Sequence, residues 1–173
     1  MGIERPFTKE RLVIGVLRSP RFARERIEEG LEGLFGSIDY RGPEFPFEWS
    51  GYYGSEMGAG LLRTFLSFAG LVDPSRLAGI KRGTDALERS WAGTGGRPVN
   101  LDPGLLSLGR FSLATTKDKA HRIPLSDGIY AELTLRYESG AYRPLPWTYP
   151  DWQSPAYLAV LDELRRRLPR EPR

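Results

Sequence analysis

Ile123-Pro124-Leu125-Ser126-Asp127-Gly128-Ile129-Tyr130-Ala131-Glu132-Leu133-Thr134-Leu135-Arg136-Tyr137 decides the fold class. Asp127-Gly128 between two β-rich runs is the signature of a type I′ hairpin turn, which needs positive φ at both central residues. From Ile129 the chain alternates. Ile129, Ala131, Leu133, Leu135 and Tyr137 share one face, expected to be core, and Tyr130, Glu132, Thr134 and Arg136 share the other. Glu138-Ser139-Gly140 turns the chain again into Ala141–Leu145. A second half made of hairpins argues against a doubly wound parallel α/β sheet, which is kept as the alternative.

Upstream, Leu12–Leu17 is a short apolar run, as in a strand buried on both faces. Three Ser-Pro or Asp-Pro pairs predict helix starts at Ser19, Asp73 and Ser154, each combining an N-cap residue with proline at N1. Phe22, Ile27, Leu31, Leu34 and Phe35 give the first helix an apolar side. Leu77, Ile80, Thr84, Leu87 and Trp91 do so for the second, and Tyr157, Leu161, Leu164 and Leu168 for the third. Residues 38–49 read as broken strands, and Leu61–Phe68 as a strand interrupted by Arg63 and Thr64. Arg97–Asp102 reads as a short strand. Asp102-Pro103 resembles a further helix cap, so 104–114 stays open between helix and strand. The order β-α-β-β-α-β, then hairpins and a helix, predicts an α+β ferredoxin-like sandwich with extra β-hairpins and a C-terminal helix. The expected organisation is a single globular domain over 1–168 and a flexible basic tail at 169–173.

Composition bounds the chemistry. With 173 residues, 40% apolar and 27% charged, the chain has a soluble globular composition and no apolar run long enough for a membrane span. No signal-peptide pattern opens it, so a cytoplasmic protein is expected. Zero Cys excludes disulfides, thiolate catalysis and Cys-ligated zinc or iron–sulfur, and one His, His121, excludes a His-pair metal site within the chain. The formal +3 belongs to the end of the chain. The last nine residues hold five Arg and one Glu, leaving residues 1–164 at −1. A basic tail of this kind suits a solvated helix end better than a nucleic-acid patch. There is no GxxxxGK[ST] loop and no G-x-S-x-G.

The chemistry-bearing residues cluster in Asn100-Leu101-Asp102-Pro103-Gly104 and in Thr115–Ile123, where Lys117, Asp118, Lys119, His121 and Arg122 fall together. Asn100 and Asp102 share a strand face, as Tyr130 and Glu132 do. The expected catalytic set is His121 as acid/base with Asp102 or Glu132 orienting it. Asn100, Lys117, Lys119, Arg122 and Tyr130 are the expected ligand contacts. The residues point to no identified cofactor. Mg²⁺ is the ion a set such as Asp102, Asp118 and Glu132 would take, although no spacing requires it. Leu145–Trp152, with three aromatics between prolines, reads as a rigid stretch pinning the last helix to the body.

The combination of Val99–Gly104, His121-Arg122-Ile123, Gly128–Leu135 and Leu145–Asp151, with Leu12–Leu17 and Phe45–Phe47 upstream, resembles the bacterial family known as domain of unknown function 4416. That resemblance spans nearly the whole chain and implies a small stand-alone cytoplasmic protein, with no reaction attached. Some members carry a GTP-binding label, for which this sequence offers no phosphate loop. The first functional expectation is a small enzyme or binding protein for an anionic, phosphorylated or nucleotide-like ligand. An RNA-binding module is the second, weakened by the absent aromatic RNP pattern and the neutral body. A structural or interaction protein is the third. No membrane partner is expected, and the oligomeric state is left open.

Overall fold

β1 (Arg11–Arg18) is the strand about which the molecule is arranged, because both of its faces are buried. Leu12, Ile14 and Val16 join one hydrophobic cluster, while Val13 joins another on the opposite side. The computed structural model describes residues 2–49 and 51–169, with Tyr52 by its backbone only. Residues 170–173, most of the expected basic tail, lie outside them.

After β1 come α1 (Arg24–Phe35), β2 (Ile38–Arg41), β3 (Phe45–Pro46), the one-turn α2 (Gly54–Met57), β4 (Leu62–Phe68) and α3 (Leu77–Trp91). Then follow β5 (Val99–Leu106), β6 (Arg110–Thr115), β7 (Arg122–Pro124), β8 (Tyr130–Glu138), β9 (Ala141–Pro144) and α4 (Pro155–Arg166). Among the described residues the nine strands form one sheet in the order β2-β4-β1-β5-β6-β8-β7, with β3 on β4 and β9 on β8. Every pairing is antiparallel, so the class is mixed α+β and the doubly wound alternative falls. Ile27 and Leu31 of α1 and Leu77 and Ile80 of α3 pack on one face. Tyr157, Leu161 and Leu164 of α4, with Trp152, pack on the other. Among the described residues no helix is long and apolar enough to cross a membrane.

Local chemistry explains most boundaries. Asp127 (φ 55°) and Gly128 (φ 74°) form the expected tight turn, and Ser139 (φ 51°) with Gly140 (φ 82°) makes a second one. Ser154 Oγ accepts from Tyr157 N (3.3 Å) at the start of α4. Asp73 Oδ1 accepts from Ser75 N (2.9 Å), and a 3₁₀ turn over Pro74–Arg76 leads into α3. The first Ser-Pro pair does not start a helix. Ser19 O accepts from Phe22 N in a turn, and α1 begins at Arg24, with Ala23 at the N-cap. Phe22 swings onto Trp91 instead, with ring centroids 5.5 Å apart. Residues 104–114 are strand: β5 runs through Pro103, and a turn at 107–109 leads into β6.

β8 departs from strict alternation. Phe111 lies opposite Leu135 and Ser112 opposite Leu133, so Thr134 is the extra residue of a β-bulge. Ile129 and Ala131 therefore pack on the α1/α3 side, and Leu135 and Tyr137 on the α4 side. The expected five-residue core face is split at the bulge, and Leu133 is exposed. Glu132, opposite Leu113, sits on the α4 side.

Candidate functional site

The sheet forks between β5 and β6. The two strands pair only at Gly104–Leu106 against Phe111–Leu113, and then diverge. Residues two apart on a strand turn their backbone groups the same way. Pro103 therefore faces β6 as Leu101 does, and it has no N–H to offer. Gly104 marks the apex. A Cβ there would lie 2.5 Å from the Phe111 ring and 2.9 Å from Ser112 O, so only glycine permits the approach.

α3 closes one side of the fork. Leu101 N donates to Glu88 Oε1 (2.7 Å), and Leu101 O accepts from Lys81 Nζ (3.0 Å). In an unbroken sheet both groups would bond to β6. Two side chains seven residues apart on α3, on its buried stripe, replace that ladder step. Lys81 is also paired with Asp85 (2.8 Å), and Glu88 with Arg97. Burial raises the Glu88 carboxyl above its ordinary value, against the pull of Lys81, the Leu101 N–H and Arg97.

The opposite wall rises from the α4 face. Arg63, pointing from β4 into the interior, pairs with Asp102 (2.8 Å) and Asp151 (3.4 Å), and its guanidinium lies over the Phe47 ring. Gly15 leaves room for it, since a Cβ there would meet Arg63 Nη1 at 3.1 Å and the Trp152 ring at 3.3 Å. Asn100 Nδ2 donates to Asp102 Oδ1 (2.9 Å). Burial works to raise Asp102, but Arg63, Lys81 and Asn100 outweigh it and hold the carboxyl below its ordinary value. Burial raises Asp151, with the Asp102 charge adding to it and Arg63 opposing. One guanidinium thus holds two carboxyls shifted in opposite directions.

Glu132 forms the third part of this wall. Its Oε2 accepts from Arg122 (2.7 Å) and lies 3.2 Å from His121 Nε2. Its Oε1 is buried with no hydrogen-bond partner among the described residues. His121 stacks on Trp147, with centroids 5.0 Å apart and planes at 9°. Trp147 Nε1 donates to Leu133 O, and Thr148 Oγ1 to Thr134 O, which pins the 145–152 stretch to β8.

Between the walls lies a cleft of about 840 Å³, lined by the six cations and six carboxylates of both walls and mouth, with Phe47, Trp49, Tyr53, Tyr149 and Trp152. Of the residues expected from sequence, Asn100, Asp102, Lys117, Arg122 and Glu132 line it. His121 does not line it, and among the described residues it meets the lining through Glu132. Arg122 commits its donors to Glu132, Lys117 O and Tyr149 Oη. Lys119 is exposed and Tyr130 half-buried, and neither lines the cleft. No three Asp, Glu or His among the described residues are gathered to hold a metal ion, so Asp102, Asp118 and Glu132 do not form a ligand set. Sequence reasoning missed Arg63, Asp151, Lys81 and Glu88. A charged residue within the apolar run 61–68, and Lys81 and Glu88 along the α3 stripe, were the available signals.

A family model described as domain of unknown function (DUF4416) matches residues 8–168, which includes every residue of both walls. The chain belongs to that family. No curated protein and no solved structure matches it. The DUF4416 match takes in the fork, Arg63 and the 145–152 stretch alike.

Proposed function

We propose that the fork cleft binds a small anionic ligand, phosphorylated or nucleotide-like, and that the chain is a small binding protein or enzyme for it. The observation that carries this is the convergence of Asn100, Asp102, Lys117, Arg122 and Glu132 on one cavity of about 840 Å³. That volume lies in the range of small-molecule sites, and aromatic walls with a few charged groups are their usual lining. Arg89 and Lys117 are exposed at the mouth beside Thr115 and Thr116, where an anion would first be met. Aromatic rings such as Trp49 and Tyr53 offer a surface for a flat ring. On this reading His121 would exchange a proton with the ligand by way of Glu132, a reading supported by their 3.2 Å contact.

The ferredoxin-like assignment belongs to the same proposal. It is supported by the order β2-β4-β1-β5 with antiparallel neighbours, and by α1 and α3 packed on the same side of the sheet.

The test is a thermal-shift and calorimetric panel of inorganic phosphate, ribose 5-phosphate, AMP and GTP, with adenosine and ribose as uncharged counterparts. Phosphorylated members raise Tm and their uncharged counterparts do not, with an effect of about 2.7 kcal/mol at a hundred-fold excess over Kd. The effect weakens as salt is added. Equal shifts from charged and uncharged members, or none from any member at millimolar concentration, would overturn the proposal.

A further inference from the structure

Glu132 is 2% exposed, lines the cleft, and uses only one of its two oxygens. Oε2 takes both Arg122 and His121, while Oε1 is buried and accepts nothing from the described residues. A buried acceptor without a donor is costly, so a donor brought there by an occupant is gained in full. The surrounding wall strengthens the point. Two guanidiniums, Arg63 and Arg122, stand against three carboxyls, Asp102, Asp151 and Glu132. The exposed mouth carries Arg89 and Lys117. The cleft is therefore cationic where it opens and rich in carboxyls where it is buried. A ligand that is only an anion would meet the first region well and the second badly.

We infer that the ligand is bifunctional, with an anionic group at the mouth and an N–H or O–H donor, from an amine or a hydroxyl, reaching Glu132 Oε1. Its class is the amino- or hydroxyl-bearing phosphate esters, as opposed to fatty acids, simple carboxylates or bare polyphosphates. This deepens the proposed function and rests on it.

Three probes of nearly equal size separate the two claims: 2-aminoethyl phosphate, 2-hydroxyethyl phosphate and ethyl phosphate, titrated into the full chain by NMR. At least one donor-bearing ester binds ~10-fold more tightly than ethyl phosphate, as expected for a hydrogen bond to a charged acceptor. In Glu132→Gln the amide oxygen stays with Arg122 and an NH₂ replaces the free acceptor, so the three esters bind alike. Should that variant fail to fold, Glu132→Asp keeps the charge for Arg122, withdraws the oxygen, and gives the same loss of preference. Equal binding of all three esters by the wild type overturns the donor inference and leaves the anion site standing. No binding by any of them, inorganic phosphate included, overturns the anion site and this inference with it.

Discussion

The two walls of the fork use the same kinds of residue for different ends. On the α3 wall the charges are spent on the backbone. Lys81 and Glu88 satisfy the C=O and N–H of Leu101, and their remaining contacts go to Asp85 and Arg97. On the α4 wall the charges are spent on one another, and imperfectly. Arg63 Nε and Glu132 Oε1 are both buried without a hydrogen-bond partner among the described residues. The contrast separates charges that satisfy the backbone beside the cleft from charges paired with one another. A buried ion pair is weak evidence of stability in itself, because desolvation offsets much of the attraction. A buried pair that also replaces a missing β-ladder step has a structural reason to exist.

The sharpest break of this comparison is Arg63→Ala. Removing one partner from a buried pair leaves the other uncompensated, at about 3–5 kcal/mol. Here two carboxyls, Asp102 and Asp151, are left facing a space the guanidinium filled. Denaturant unfolding would show the midpoint falling accordingly. A loss under about 1 kcal/mol would put Arg63 with ordinary surface pairs and leave the two walls energetically alike.

On the other wall, Glu88→Ala removes the acceptor of Leu101 N–H and the partner of Arg97. The expected loss is about 1–3 kcal/mol, that of a buried donor left unmade. Hydrogen exchange at Leu101 should quicken more than at Val13, which lies elsewhere on the sheet. If exchange at the two sites rises equally, Glu88 supports the whole domain and not the fork.

How legible the fork was in the sequence depends on where each signal sits. Both tight turns and the Ser154 cap were plain, because their chemistry lies within three or four residues. β1 was plain as well, because an unbroken apolar run has few other uses. Ser19-Pro20 misled because the pair also suits a turn, and the packing of Phe22 on Trp91 decided between the two. The bulge at Thr134 left no trace in a period-two pattern, since it depends on the β6 register. Pro103 was the mark of the fork, but with Asp102 before it the pair read as a helix cap. Asn100, Asp102 and Glu132 were found because strand alternation places them. Arg63 and Asp151 were missed because their pairing spans 88 residues of sequence.

A third prediction separates the two carboxyls that share Arg63. Asp102 is held below its ordinary 3.8, so its contribution to stability is complete above that pH and is lost as pH falls through the lowered value. Asp151 is raised above 3.8, so its contribution is complete below 3.8 and is lost as pH rises through the raised value. Asp102→Asn should therefore flatten the acid limb of a stability-against-pH curve, and Asp151→Asn the limb on the neutral side. Chemical denaturation between pH 3 and 8 reads both. The same limb flattening in both variants would mean that the pair titrates as one unit.

The smallest effect expected is at the mouth, where Lys117 and Lys119 provide a matched pair of substitutions. Both are exposed lysines on the loop between β6 and β7, and only Lys117 lines the cleft. Substitution of an exposed loop residue usually changes stability by no more than about 0.5 kcal/mol, so neither Lys117→Ala nor Lys119→Ala should move Tm appreciably. Binding should divide them. An exposed charge facing an anion contributes up to about 1 kcal/mol, so Lys117→Ala should weaken phosphate-ester binding by as much as ~5-fold at low salt, and by less as salt screens the mouth. Lys119→Ala, outside the cleft lining, should leave affinity within error. Equal losses from the two would mean that the loop attracts anions through its field as a whole, and that the cleft mouth selects nothing. A fall in Tm for Lys117→Ala alone would place that side chain among the groups that hold the fork, on the structural side of the comparison.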